Sequence, residues 1–219
     1  MSPVLTSPLP SLPAPAPATP PPTPPVVLAP PVRLPPQPFR WTIKQYRELR
    51  RILGDLRTML IDGQIFLMVM PKPPHDTALG LTEDWLRTVF GTGHTVRCQM
   101  GFDIGEDTDP GPDLAVVLGD RRAHAQQTPT SALLIVEVAE TTLFFDTTTK
   151  AEKYATAGVP DYWVIDLENR VLVVFRDPAP LPAGLGANAY RTKFTLNPAD
   201  TVSPLAAPHA TVTVGDLLP

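Results

Sequence analysis

Apolar residues in this chain recur at two spacings, and the spacing changes from element to element. Ile43, Tyr46, Leu49 and Ile52 fall three residues apart. That spacing predicts a helix over 42–53, with Thr42 as its N-cap. Its other face carries Lys44, Arg47, Arg50 and Arg51. Residues 59–61 and 65–70 are short apolar runs joined by Asp62-Gly63, a hairpin signal. Pro71, Pro73 and Pro74 then interrupt the chain. A second helix is predicted over 75–90, with Leu79, Trp85, Leu86 and Val89 as apolar positions and Gly91 and Gly93 after its end.

Strands dominate the remainder. They are predicted over 96–104, 113–118 and 132–138, the last apolar enough to be covered on both faces. A helix over 146–157 has Asp146 as N-cap and Gly158 as its stop. Residues 162–166 and 171–176 form a hairpin around Glu168-Asn169, 190–196 is a further strand, and a short edge segment follows Pro198. This order predicts an α/β fold, a mixed β-sheet core flanked by helices.

Composition divides the chain. Sixteen of its 30 prolines lie between Pro3 and Pro38, a stretch with one charged residue, Arg33. Each proline fixes φ and removes a backbone donor, so residues 1–39 are expected to be an extended, disordered tail. Such a tail serves as a linker or as a ligand for a proline-reading module. Residues 40–219 are then the folded domain. No run of 18 apolar residues offers a membrane helix. The start lacks the basic and apolar regions of a signal peptide. Cys98 is the only cysteine, which excludes an internal disulfide and a cysteine-based zinc site. A cytoplasmic location is expected.

The net charge of −4 argues against non-specific coating of nucleic acid. Its distribution is uneven: residues 1–100 carry ten Lys/Arg against six Asp/Glu, residues 101–219 eight against sixteen. The acidic half is either solvated surface or the source of a carboxylate cluster. Asp113 opens one apolar strand after Pro112, and Glu137 lies inside another, Leu-Leu-Ile-Val-Glu-Val. A glutamate there is costly unless paired or bound to metal. Two carboxylates on neighbouring strands can share a hard cation such as Mg²⁺, which activates water and polarises a phosphodiester. The alternative is that Glu137 pairs with a buried Arg or Lys. Lys150 falls in the first turns of the 146–157 helix, on the side of Tyr154, and could reach Glu137. Lys153 is its close competitor. Either could instead be solvated.

These residues fall in a pattern. Pro112-Asp113 is followed by Val136-Glu137-Val138-Ala139-Glu140. Then come Asp146, Lys150, Tyr154-Ala155 and the block Ala157-Gly158-Val159-Pro160-Asp161-Tyr162-Trp163-Val164-Ile165-Asp166. Upstream stand Leu60-Ile61-Asp62-Gly63, Met70-Pro71 and Pro74-His75. Over residues 41–177 the chain resembles the Uma2 (DUF820) family, endonuclease-like proteins of the PD-(D/E)xK restriction-endonuclease-like superfamily. The resemblance implies that Asp113 and Glu137 are the two acidic elements. With the carbonyl of Val138 they would hold Mg²⁺ or Mn²⁺. Ala139 stands where the superfamily lysine is expected, and Lys150 matches a lysine moved onto the following helix. Asp146 matches a family aspartate and is read first as the helix cap. His75 matches a family histidine and is read as a cap or surface group. Met59 and Gln64 replace frequent family glutamates.

The implied function is metal-dependent endonucleolytic cleavage of DNA, with a homodimer as one possible state. The alternative is a non-catalytic nucleic-acid- or protein-binding module on the same scaffold. If the tail is extended, removing residues 1–38 leaves the folding transition unchanged. A large fall in melting temperature on truncation would show that it packs.

Overall fold

The computed structural model describes residues 37–54, 56–181 and 188–219. The expectation of an extended tail therefore falls almost wholly outside the described residues. Among these, no helix is long and apolar enough to cross a membrane.

Helix α1 spans Ile43–Leu53. Thr42 caps it with a reciprocal pair, its hydroxyl accepting from the Gln45 amide while the Gln45 side chain accepts from the Thr42 amide. The hairpin β1 (Thr58–Ile61) and β2 (Gln64–Leu67) turns at Asp62 and Gly63, whose φ angles are 48° and 70°. Two successive positive φ values define the tight turn that suits strand twist. A Cβ at Gly63 would also come within 2.7 Å of the Arg40 Cβ. Helix α2 spans Pro73–Val89, with prolines in its first turn where no amide is needed.

The main sheet has six strands in the order β3-β4-β5-β6-β7-β8. They are His94–Cys98, Leu114–Leu118, Leu134–Ala139, Asp161–Asp166, Val171–Pro180 and Asn188–Leu196. All neighbours are antiparallel except β5 and β6. That parallel pair requires a crossover. Three consecutive pieces supply it: α3 (Leu143–Phe145), a π-helical turn (Asp146–Lys150) and α4 (Ala151–Thr156). A two-stranded ribbon, β9 (Thr201–Val202) with β10 (Val212–Thr213), and a 3₁₀ turn (Val214–Leu217) follow.

Strand alternation divides the core. Leu134, Val136 and Val138 pack towards α2, with Trp163, Leu172 and the terminal Leu217 and Leu218. Ile135 and Ala139 pack towards α4, with Tyr154, Tyr162 and Phe175. Every residue of β5 and β6 is buried, as a parallel pair covered on both faces requires.

Three expectations are corrected. The strand predicted over 96–104 ends at Cys98, because Gln99 turns to φ 49° and its amide donates to the Asp113 carbonyl at 2.8 Å. The strand predicted over 65–70 ends at Leu67. Asp146 is not an N-cap: the helical segment begins at Leu143, and Asp146 lies within it.

Asp161 shows how a carboxylate can be buried structurally. It is wholly inaccessible. It accepts from the Trp163 indole (2.8 Å), the Leu205 amide (2.8 Å) and the Arg176 guanidinium (2.9 Å). It thereby ties β6 to β7 and to the chain after β9. Asp161→Ala would leave the buried Trp163 indole, the Leu205 amide and the part-buried Arg176 guanidinium without this partner. The expected loss is about 3–5 kcal/mol, read as a lower urea midpoint with an unchanged slope.

Candidate active site

Asp113 directly precedes Leu114, which pairs with Val136 across the antiparallel β4–β5 ladder. Side chains alternate along a strand, so Asp113 and Glu137 share one face of the sheet. Both line a cavity of about 170 Å³ together with Lys150, Asp146, His75 and Val138. Asp113, Glu137, Asp146, Lys150 and His75 are all buried.

Lys150 lies against the acidic strand. Its Nζ is 2.9 Å from Glu137 Oε1 and 3.3 Å from Asp146 Oδ1. Lys153 points elsewhere, its Nζ 2.8 Å from Asp62 in the β1–β2 turn. The π turn sets this arrangement. Thr147 and Thr148 hydroxyls donate to the Leu143 and Phe144 carbonyls, at 2.7 and 2.5 Å. Those carbonyls lie four residues back, where an α-helix would use the backbone amides. The Asp146 carbonyl accepts from Tyr162 Oη at 2.8 Å. Tyr154, in the next turn, donates to Glu137 Oε1 at 2.6 Å.

Asp113 is held from three sides. Its Oδ2 accepts from the Val138 amide at 2.9 Å and lies 3.3 Å from His75 Nε2. Its Oδ1 accepts from Gln99 Nε2 at 3.3 Å. His75 is therefore neither a cap nor a surface group. The proline-led first turn of α2 buries it against Asp113. Nothing in its spacing distinguishes this from a solvated position. Tyr154 and Gln99 are likewise site residues that sequence spacing does not mark as such.

The electrostatics follow from burial. Desolvation drives the Glu137 carboxyl up to about 8, with the charges of Asp113 and Asp146 adding to the rise and Lys150 and Tyr154 opposing it. Burial also penalises the Lys150 ammonium, but Glu137, Asp146 and Asp113 outweigh it and raise Lys150 above its ordinary value. Burial likewise opposes ionisation of Asp113. The His75 hydrogen bond, the Lys150 charge and the Val138 amide prevail and hold Asp113 below the usual aspartate range. His75 moves up: Asp113 and Asp76 overcome the desolvation of its ring.

The donor chemistry suits a hard divalent cation. Four carboxylates, Asp113, Glu137, Glu140 and Asp146, line the cavity, and the buried Asp146 Oδ1 makes no hydrogen bond beyond its ion pair with Lys150. Glu137 uses only Oε1 for Tyr154 and Lys150. Among the described residues, no group of three or more His, Cys, Asp or Glu is arranged to hold a metal by itself. A two-carboxylate site with water completing the shell is what Mg²⁺ accepts. Met59 lines this same cavity.

The fold is α/β, a mixed six-stranded sheet with helices, and one cavity gathers its buried carboxylates and Lys150. Residues 43–215 match the model of Uma2, described as "Putative restriction endonuclease", and the chain belongs to that family. Among solved structures it is similar to a DUF820 protein of Anabaena variabilis ATCC 29413, described as a "putative nuclease". The two are 15% identical, with a TM-score of 0.61 over 80% of this chain and 96% of the other. No match to a curated protein was found.

A folded-state value below the unfolded one makes Asp113 stabilising above the ordinary aspartate value of about 3.9. That contribution is lost as pH falls through the lower, folded value. Asp113→Asn should therefore be less stable than the unmodified protein near neutrality, and the gap should narrow as pH falls from the ordinary aspartate value through the lower, folded one. Urea denaturation across the acid range reads this directly. A constant gap would mean that the Asp113 charge adds nothing.

Proposed function

We propose that the protein is a metal-dependent nuclease that hydrolyses phosphodiester bonds of DNA in the Asp113/Glu137 cavity. The observation that carries this reading is one buried lysine paired with Glu137 and Asp146, with Asp113 of the neighbouring strand opening on the same cavity. Asp113, Glu137 and the Val138 carbonyl would hold Mg²⁺ or Mn²⁺. Such an ion supplies an activated nucleophile and Lewis-acid polarisation of the phosphoryl oxygens.

The chain's own residues do the rest. Tyr154 fixes Glu137, and the Val138 amide and His75 fix Asp113, so neither carboxylate reorganises when substrate binds. Lys150 stays charged between Glu137 and Asp146. It donates to the non-bridging phosphate oxygen on which charge develops. It cannot serve as the base that takes the proton from water.

One observation favours the alternative of a non-catalytic nucleic-acid- or protein-binding module. Met59 places an apolar side chain in the cavity where an additional carboxylate would be expected.

Calorimetry should detect Mn²⁺ binding to the unmodified protein and much weaker binding to Glu137→Gln. Lys150→Ala should retain Mn²⁺ binding and lose cleavage by about 10²–10³-fold, the scale of one transition-state donor. Lys153→Ala should keep most of its activity. Circular dichroism checks folding, since Glu137 and Lys150 are each other's buried partner. Metal binding without any cleavage would favour the binding module, and equal Mn²⁺ binding by Glu137→Gln would remove the site.

A further inference from the structure

The site cavity shares a wall with a second cavity. Arg57 and Met68 line both, and the second extends past Arg50 and Met100. Gln99 lines the second and reaches back to Asp113. A groove thus runs from the carboxylates past Arg57 towards Arg50.

Its lining combines two chemistries. Among the described residues the Arg57 guanidinium has no hydrogen bond or ion pair, although it is half-buried. Arg50 lies exposed over the Tyr46 ring at 5.9 Å. At the site end, Lys72 is paired with Glu140 at 2.8 Å. The buried Asp109 is the other acidic residue along the groove. Against these stand large apolar groups open to solvent beside the carboxylates: Leu67, Val69 and Met70 are 69%, 77% and 69% exposed. Phe145 faces the same cavity, its ring 5.6 Å from that of Phe66.

A duplex offers phosphates and hides its base faces, so its affinity depends on many cations. This chain carries a net charge of −4, and among the described residues only Arg50 and Arg57 are cations without an ion pair along the groove. An unpaired strand offers phosphates and base faces together, and sites that bind it combine a cationic track with apolar and aromatic platforms. We propose that the groove is the path of single-stranded DNA, with bases on Val69, Met70 and Phe145 and phosphates on Arg57 and Arg50. This rests on the nuclease reading of the carboxylate site and names its substrate class.

The test is fluorescence anisotropy on the full chain without divalent metal, using one labelled oligonucleotide single-stranded and as a duplex. The single strand should bind more tightly. Val69→Asp, at a position too exposed to affect folding, should weaken single-strand binding about tenfold, the scale of one lost base contact. Arg57→Ala should lower the slope of log affinity against log salt by about 0.7, the value for one phosphate of a single strand. Equal or tighter duplex binding overturns this inference and leaves the nuclease reading standing, as does preferential duplex cleavage when Mn²⁺ is added. No binding to either form, together with no cleavage, overturns both. If Val69→Asp changes the mass by light scattering and leaves strand binding intact, the apolar rim is a contact between copies of the chain, and the inference fails.

Discussion

Glu137 lies between apolar neighbours in a strand covered on both faces, where an isolated carboxylate would be untenable without partners. Its partners come from one side only. Lys150 and Tyr154 both reach Oε1 from the segment that crosses from β5 to β6. The position of that segment is therefore fixed by one oxygen atom as much as by apolar packing. The π turn brings Asp146 and Lys150 inward together, and Tyr162 on β6 satisfies its spare carbonyl. Sheet, crossover and site form one coupled arrangement.

The same contact has a structural and a chemical aspect. A buried ion pair contributes little net stability once desolvation is counted, but losing one member is costly. Lys150 against Glu137 is the kind of neutralising pair that an apolar strand needs, and it also holds a cation at the mouth of a carboxylate site. Asp161 provides the contrast. It is at least as buried and fully satisfied by Trp163, Leu205 and Arg176, and it lies outside the cavity altogether. Burial alone does not distinguish the two carboxylates; the cavity at Glu137 and its Oε2, which neither Lys150 nor Tyr154 uses, do.

Much of the fold was legible because apolar periodicity is a local signal. The runs over 132–138 and 162–166 could be read as the strands Leu134–Ala139 and Asp161–Asp166, and 42–53 as the helix Ile43–Leu53 with its Thr42 cap. What failed depended on distant contacts. The strand expected to continue past Cys98 is broken by a left-handed Gln99 whose amide bonds Asp113, fourteen residues on. Asp146 has the chemistry of a cap, and only the tertiary position of Leu143 and the threonine hydroxyls shows it to be mid-helix. A single histidine in a first turn carries no periodic signal, so nothing local marks His75; its burial against Asp113 exists only once α2 meets β4. Lys150 and Lys153 are separable in three dimensions, one on Glu137 and one on Asp62, though they lie within one turn of each other.

The π turn also bears on how the chain length can vary. In an ordinary surface helix, an in-frame deletion is absorbed by rotation of everything beyond it. Between Asp146 and Lys150 the helix carries a widened turn, so removing one threonine there would let it relax to plain α geometry. That shortened helix would be better formed as a helix. It would leave Lys150 and Tyr154 in phase with the helix beyond and facing Glu137, and would take up the change in the turn before them. The widened turn is therefore the one place in the crossover where the chain can lose a residue and keep the rest of the helix in register.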